Sequence, residues 1–509
     1  MYDSGMTGRG MTLSDQLARH ARKIPDDTAL VFADTTRSYR ELDERVSRLA
    51  HALRQRGIGR GDRIAVLCPN NLESVESYLA SVRLGAICVP VNFRLVAAEV
   101  AYLLADSGAS AVITDTTFAG TVAEARTPSV HTVLVVGDDY EQAVQEAAAD
   151  PVESTVDLDD PAFVMYTSGT TGKPKGAVLT HSNLLMHAFS TIAHLGVASD
   201  DRVGLSGAPL FHIAGVGAVT LNLLIGGSSV IVRTGRFDPA ETVDLLARER
   251  VSNCFFVPAQ WQAICALRDL ADRDLSALRR ISWGAAPAST ALLRTMIDTF
   301  PQAQVMTMFG QTECSPVTTV LRGEDAVRKI GSVGTPMLNV EVRVVDDDMN
   351  DVARGEVGEI VYRSPMVMKE YWGKPEETAE AFRGGWFHSG DLVREDDEGY
   401  FYVVDRKKDM IISGGENIYC AEVEDALAGH PRIAEVALIG VPDPKWGESP
   451  LAVIAPRDHE DPPTADEVEA WCRERLAGYK CPRRIALVTE LPRNPSGKVL
   501  KTSLRADFA

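Results

Sequence analysis

The sequence predicts an α/β protein: a large N-terminal domain of layered α/β sheets with a small β-rich subdomain, followed by a small α+β C-terminal domain. Three observations carry this reading. From Arg63 to about Gly310, short apolar runs of strand length alternate with segments whose apolar residues recur at helical spacing. After about Gly331 the texture changes to strand-like runs separated by Asp and Gly turns. A dense charged run, Asp405-Arg406-Lys407-Lys408-Asp409, then precedes a final compact stretch of ordinary domain size. The 509 residues are in any case too many for one core.

Each element follows from its pattern. Arg63–Cys68 (RIAVLC) reads as a buried strand, and Leu72–Leu84 places Val75, Tyr78, Leu79 and Val82 on one helical face. Ile87–Val91 is a strand, Ala97–Leu104 a helix and Ser110–Thr114 (SAVIT) a strand. Later strands are expected at Phe163–Tyr166, Ser229–Val232, Cys254–Val257, Arg280–Trp283 and Val305–Met308, with helices at Ala240–Arg250 and Thr290–Phe300. Val340–Val345 and Val357–Tyr362 form the β-rich part. The charged run is taken as the boundary between 1–404 and 410–509.

Composition narrows the function. Hydrophobic residues make up 45 % and charged residues 24 %, ordinary for a soluble globular chain. A net charge of -19 argues against nucleic acid as a partner, because phosphate backbones repel such a surface. The eight cysteines form no Cys-x-x-Cys pair and match no zinc spacing, so free thiols in a reducing cytoplasm are expected. The opening MYDSGMTGRGM lacks the apolar core of a signal peptide. The best membrane candidate, Ile213–Ile225, is too short to span a bilayer and is interrupted by glycine and Asn222.

Candidate chemistry begins at Tyr166–Gly176, YTSGTTGKPKG. Gly169, Gly172 and Gly176 allow sharp backbone turns with N–H groups pointing inward. Thr167, Ser168, Thr170 and Thr171 add hydroxyl donors, and Lys173 and Lys175 add positive charge for a polyphosphate. A polar surface loop has the same composition. The spacing is not that of the common nucleotide loop, since only two residues separate Gly169 from Gly172 and Pro174 follows Lys173.

Further along, Met308–Glu313 (MFGQTE) is a strand end followed by a carboxylate. Glu313 there is placed either to hold a magnesium–phosphate unit or to sit in the first turn of a helix capped by Thr312. Trp386–Asp391 (WFHSGD) puts Asp391 in a glycine turn, either to accept ribose hydroxyls or as an ordinary hairpin. Arg406 has a fork suited to ribose or phosphate oxygens, or is a solvated linker charge. Pro495–Lys501 (PSGKVLK) holds Lys498 on a loop, and His212 in PLFHIAG is a pocket residue or a buried, satisfied histidine.

Taken in order, YTSGTTGKPKG, MFGQTE, WFHSGD, DRKKDMIISGGENI and NPSGK resemble the adenylate-forming superfamily of acyl-CoA synthetases, luciferases and peptide-synthetase adenylation domains. The resemblance covers about Leu13 to Arg505 and is strongest to bacterial fatty-acyl or related carboxylate CoA ligases. It implies ATP, Mg2+ and coenzyme A as cofactors, and a carboxylic acid converted to acyl-AMP and then to a thioester. It also implies residue roles. Thr167, Ser168, Gly169, Thr170, Thr171, Gly172 and Lys175 match the loop on the β- and γ-phosphates. Glu313, with Thr167, matches the metal position, and Thr312 the α-phosphate contact. Gly284, Ala285, Ala286 and Pro287, with Met308, Phe309 and Gly310, match the walls around adenine. Asp391 matches the ribose acid, assisted by Arg406. Lys498 matches the lysine that bridges substrate carboxylate and α-phosphate.

The small domain of the family is mobile. By resemblance, 405–409 is the hinge, with Lys408 at the hinge position. Ser413, Gly414, Gly415, Glu416 and Asn417 form the thioester loop presented in the second pose. His212 and Trp283 match the acyl pocket. Trp283 is a departure, because relatives often have Ser or Thr there; it either reshapes the pocket or points into the core. Loading of an acyl carrier protein is the alternative to coenzyme A. An amino-acid module is disfavoured because no acid follows Phe211 in His212-Ile213-Ala214-Gly215. Relatives imply a monomer or homodimer. A non-catalytic nucleotide binder is countered by the presence of Glu313 and Lys498.

Overall fold

Local chemistry starts and stops the helices that the site uses. Asn71 accepts the Ser74 N–H and opens Leu72–Leu84, and Gly85 closes it at φ 72, where a β-carbon would be strained. Ala97–Ser107 ends in the same way on left-handed Gly108. Thr180 and Asn183 form a reciprocal cap on His181–Leu195. The computed structural model describes residues 11–152, 155–167, 173–198, 200–235, 237–285, 288–413, 416–493 and 499–508.

The chain packs as two compact units. One comprises Met1–Ile330, Pro336–Glu341 and Arg363–Gly385; the other comprises Gly331–Thr335, Val342–Tyr362 and Trp386–Ala509. In the first unit, one sheet runs parallel through Gln304–Gly310, Arg280–Gly284, Asn253–Phe256, Val203–Ser206, Ser228–Ile231 and Thr28–Phe32. A second has Thr132–Val135, Ala111–Thr114, Arg63–Leu67, Ile87–Pro90 and Pro161–Thr167 in parallel. Lys175–Thr180 folds back antiparallel on Pro161–Thr167, and Glu370–Tyr371 adds to its outer edge. This is the α/β layering that the alternating pattern predicts. The buried faces carry Val, Ile, Leu and aromatic side chains, among them Phe256, Trp261 and Phe300 in edge-to-face contact.

Trp283 belongs to the same core. It is 7 % exposed and lies on the face of Arg280–Gly284 that also buries Ile281. Of the two orientations open to it in sequence, the side chain takes the inward one, because strand periodicity puts it beside Ile281.

The second unit has a β-rich sheet in the order Glu341–Val345, Val357–Arg363, Phe387–Glu395, Phe401–Arg406. It extends upstream of the charged run because the last of these strands ends at Arg406, inside that run. Beyond it, Ile433–Asp443 and Gly447–Pro456 form a long antiparallel pair, joined by Ile411–Ser413 and by parallel Arg484–Leu487. Helices Cys420–Ala428 and Ala465–Arg473 pack their apolar faces into its core.

Candidate active site

In the first unit the site is built on the hairpin that the sequence shows as a loop. Thr167 and Lys175 are cross-strand partners, the last pair before the connecting loop, so the hydroxyl and the ammonium are set by sheet register. Ser168, Gly169, Thr170, Thr171 and Gly172 lie outside the described residues.

Glu313 comes to this hairpin from the end of Gln304–Gly310. It sits in a short 3-10 turn, Thr312–Cys314, whose N-cap is Gln311 rather than Thr312. The helix-cap alternative therefore fails at Thr312: the chain reverses after Cys314 instead of continuing as an α-helix. Gly310 adopts φ 154, and a β-carbon there would run into the Pro316 carbonyl. Glu313 is 8 % exposed. Its Oε1 accepts from Tyr371 Oη at 2.9 Å and, at the long end, from Thr167 Oγ1 at 3.4 Å. The Met368 N–H donates to the Glu313 carbonyl at 2.7 Å, and the Trp372 N–H to the Gly176 carbonyl at 2.7 Å. One extended segment thus stitches the carboxylate to the hairpin. Lys175 Nζ lies 5.2 Å from the Tyr371 ring centre.

The electrostatics of Glu313 fit a hard divalent cation. Its partners are neutral hydroxyls, and no Lys or Arg pairs with it among the described residues. Burial and the adjacent carboxylate push the Tyr371 phenol up, so it remains a donor. Among the described residues no group of three His, Cys, Asp or Glu converges. A carboxylate and a hydroxyl are what Mg2+ takes from protein when phosphates and waters supply its other ligands.

The strand end nearby is a close-packed backbone surface. Gly284 pairs with Met308, and a β-carbon at Gly284 would strike the Met308 carbonyl. Ala285 follows at φ 65, and Met308, Phe309 and Gly310 are half-buried. Ala286 and Pro287 lie outside the described residues. His212 caps helix Ile213–Ile225, its Nδ1 accepting the Ala214 N–H at 3.2 Å. Burial lowers its pKa to about 4, so it is neutral near pH 7.

The second unit holds the other candidate carboxylate. Asp391 is not in a hairpin turn: it lies within strand Phe387–Glu395, just after Gly390, whose φ of 71 kinks the strand. Asp391 faces Arg406 across the sheet, and Arg406 Nε meets its Oδ1 at 2.6 Å. Glu359 fixes the kink by accepting the Gly390 N–H at 3.0 Å, and His388 and Lys407 also bond to it. After Arg406 the chain makes a tight turn, with the Asp409 and Met410 N–H groups donating to the Arg406 carbonyl. Lys408 is exposed on that turn. Ser413 and Glu416 are strand partners, with Glu416 and Asn417 exposed; Gly414 and Gly415 lie outside the described residues, as does Lys498.

Sequence reasoning missed Tyr371, the donor nearest Glu313. Its only local signal is a short run, Glu370-Tyr371-Trp372, which pairs with a strand nearly two hundred residues earlier. It also missed Glu359, which holds the turn before Asp391.

Comparison with known proteins identifies the family. Residues 17–372 match the AMP-binding enzyme family, and 422–498 match the AMP-binding enzyme C-terminal domain. Feruloyl-CoA synthase from Amycolatopsis sp is 44 % identical over 503 residues, covering 98 % of this chain and 100 % of that protein. Long-chain-fatty-acid–CoA ligase FadD13 from Mycobacterium tuberculosis is 38 % identical, covering 94 % of each chain. O-succinylbenzoate CoA synthetase from Bacillus subtilis, solved with its acyl-adenylate and with ATP and a magnesium ion, superposes with a TM-score of 0.87 at 33 % identity, covering 96 % of this chain and 97–98 % of that one. The chain belongs to the AMP-binding enzyme family.

Proposed function

We propose that this protein is an AMP-forming acid–thiol ligase: it activates a carboxylic acid with ATP and passes the acyl group to coenzyme A. The observation that carries the reading is the meeting of Thr167 and Glu313, 146 residues apart in sequence, beside Lys175. In the first step a carboxylate oxygen bonds to the α-phosphorus while the bond to pyrophosphate breaks. In the second, the thiolate of coenzyme A attacks the acyl carbon and AMP leaves.

Two anions must approach in the first step, so positive charge has to be fixed in advance. Thr167, Lys175 and the loop 168–172 grip the β- and γ-phosphates in this reading. Glu313 with Thr167 would hold Mg2+, which offsets charge on the phosphates when bound. Thr312 contacts the α-phosphate, and Gly284 to Pro287 with Met308 to Gly310 flank adenine. Asp391 and Arg406 take the ribose. Lys498 bridges the two reacting anions. Residues 405–409 serve as the hinge between 1–404 and 410–509, with Lys408 absorbing the backbone change, and 413–417 form the loop for thioester formation. Neutral His212 borders the acyl site.

The named relatives act on aryl and long-chain acids, which supports a small-molecule acid and puts hydroxycinnamic acids first in a panel. Eight free cysteines fit a cytoplasmic site of action. No helix among the described residues is long and apolar enough to cross a membrane.

The test is incubation of the protein with ATP, Mg2+ and that panel, with and without coenzyme A, followed by mass spectrometry. Thioesters formed only with coenzyme A are expected. Acyl-AMP accumulating while coenzyme A stays untouched would transfer the reading to loading of a carrier protein.

A further inference from the structure

The hairpin that carries Thr167 is held from a helix to which neither motif nor resemblance assigns a role. Tyr102 and Asp106 lie one turn apart on one face of Ala97–Ser107. Asp106 Oδ2 accepts from Tyr166 Oη at 2.8 Å, and Tyr166 immediately precedes Thr167. Tyr102 Oη has one proton to give, and its shorter contact is the Pro174 carbonyl at 3.1 Å. Lys173 Nζ lies 5.5 Å from the Tyr102 ring centre. One helix face therefore fixes both stems of the hairpin, on either side of residues 168–172.

Charge completes the cluster. Lys374 Nζ reaches Asp106 Oδ1 at 3.0 Å, and the Asp106 side chain is only 12 % exposed. Lys374 lies two residues beyond Trp372, at the end of the segment that ties Glu313 to the hairpin. Gly176 has a matching role: a β-carbon there would press into Val164 and stand 3.3 Å from Tyr166 Cζ, displacing the ring that reaches Asp106.

We infer that Asp106, with Tyr102, Tyr166 and Lys374, is a positioning cluster for the nucleotide-phosphate loop, holding Thr167 in register with Glu313. The inference rests on assigning that hairpin to the phosphates of ATP. None of the four side chains needs to touch substrate. Their effect is on the placement of Thr167 and Lys175, and a misplacement of about 1 Å can cost a reaction about a hundredfold.

The experiment separates the half-reactions in the full-length protein. Adenylation is followed by ATP–pyrophosphate exchange with an acid the protein accepts; thioester formation is followed from synthetic acyl-AMP and coenzyme A. Asp106→Asn is expected to raise KM for MgATP about tenfold, leaving KM for the acid and the second half-reaction within about twofold. Tyr166→Phe and Tyr102→Phe keep the rings and should raise it about threefold each. They decide the matter if Asp106→Asn does not fold. Equal loss in both half-reactions, or an unchanged KM for MgATP with only a lower Tm, would overturn the inference. Thr167→Val is the control on its premise. If that change also leaves adenylation intact, the phosphate assignment itself fails. If it alone raises KM for MgATP, only the positioning role falls.

Discussion

Glu313 and Asp391 are both buried carboxylates at motif positions, yet the protein holds them in opposite ways. Glu313, in the first unit, is met by hydroxyls from Tyr371 and Thr167. Asp391, in the second, is met at 2.6 Å by the Arg406 guanidinium. A carboxylate already paired with arginine has little charge left to offer a cation, whereas one braced by neutral donors keeps it. The difference is the reason the proposed function puts Mg2+ at Glu313 and the ribose hydroxyls at Asp391.

The largest test removes the charge at Glu313. Glu313→Gln preserves an acceptor for Tyr371 but removes the anionic ligand, and adenylation is expected to fall about 10²–10³-fold. Thioester formation from synthetic acyl-AMP should be nearly unchanged, because pyrophosphate has already left. If both half-reactions fell together, the contrast with Asp391 would be lost.

Asp391→Asn should behave differently. The AMP moiety is present in both half-reactions, so both are expected to weaken, by about ten- to a hundredfold in KM for the nucleotide, as a charge-assisted contact is worth roughly 1.5–3 kcal/mol. Isothermal titration with AMP reads this directly, and unaltered AMP affinity would break the ribose assignment.

Lys408→Pro addresses the turn after Arg406. Proline fixes φ where the hinge must change it, so thioester formation should drop about tenfold while adenylation changes less. Equal losses, measured separately, would remove Lys408 from the hinge.

The smallest expected effect is on stability against pH, and its sign differs between buried histidines and a buried aspartate. Burial lowers the pKa of His181 to about 4 and of His187 to about 3 in the first unit. The unfolded chain binds those protons near pH 6.5 and the folded chain does not, so stability is lost as pH falls below about 6.5. In the second unit, burial raises Asp405 to about 6, against the pull of Lys501 and the N–H groups of Arg406 and Cys420. Here the folded chain binds the proton first, so this residue's contribution improves as pH falls from about 6 to 4. It amounts to roughly 1–3 kcal/mol. Asp405→Asn should remove that contribution, so hydrogen exchange in the second unit should slow most at about pH 7 and the difference from the native protein should shrink towards about pH 4.

Legibility followed the range of the interactions. Helix Leu72–Leu84 was readable end to end because its cap, periodicity and closing glycine are all local. Ile213–Ile225 was readable as an apolar run too short for a membrane, and it is a 13-residue helix capped by His212. Lys175–Thr180 was not readable as a strand, because glycines, hydroxyls and Pro174 in the preceding residues carry the signature of a loop. What makes it a strand is pairing on both sides, with Pro161–Thr167 and Glu370–Tyr371. Asp391 reads as a turn because Gly390 precedes it, yet its pairing with Arg406 keeps it in a sheet, while on the other side it falls in a bulge between Leu392 and His388.

The amino-acid sequence by itself determined the fold class, the order of the motifs and, through them, the family, because periodicity, capping and motif chemistry are properties of neighbouring residues. Only the tertiary structure decided that Trp283 belongs to the core, that Tyr371 supplies the hydroxyl on Glu313 and that Asp106 and Tyr102 between them reach both stems of the hairpin. Those facts depend on segments dozens to hundreds of residues apart arriving at one place, and nothing in local composition specifies which distant donor will meet which carboxylate.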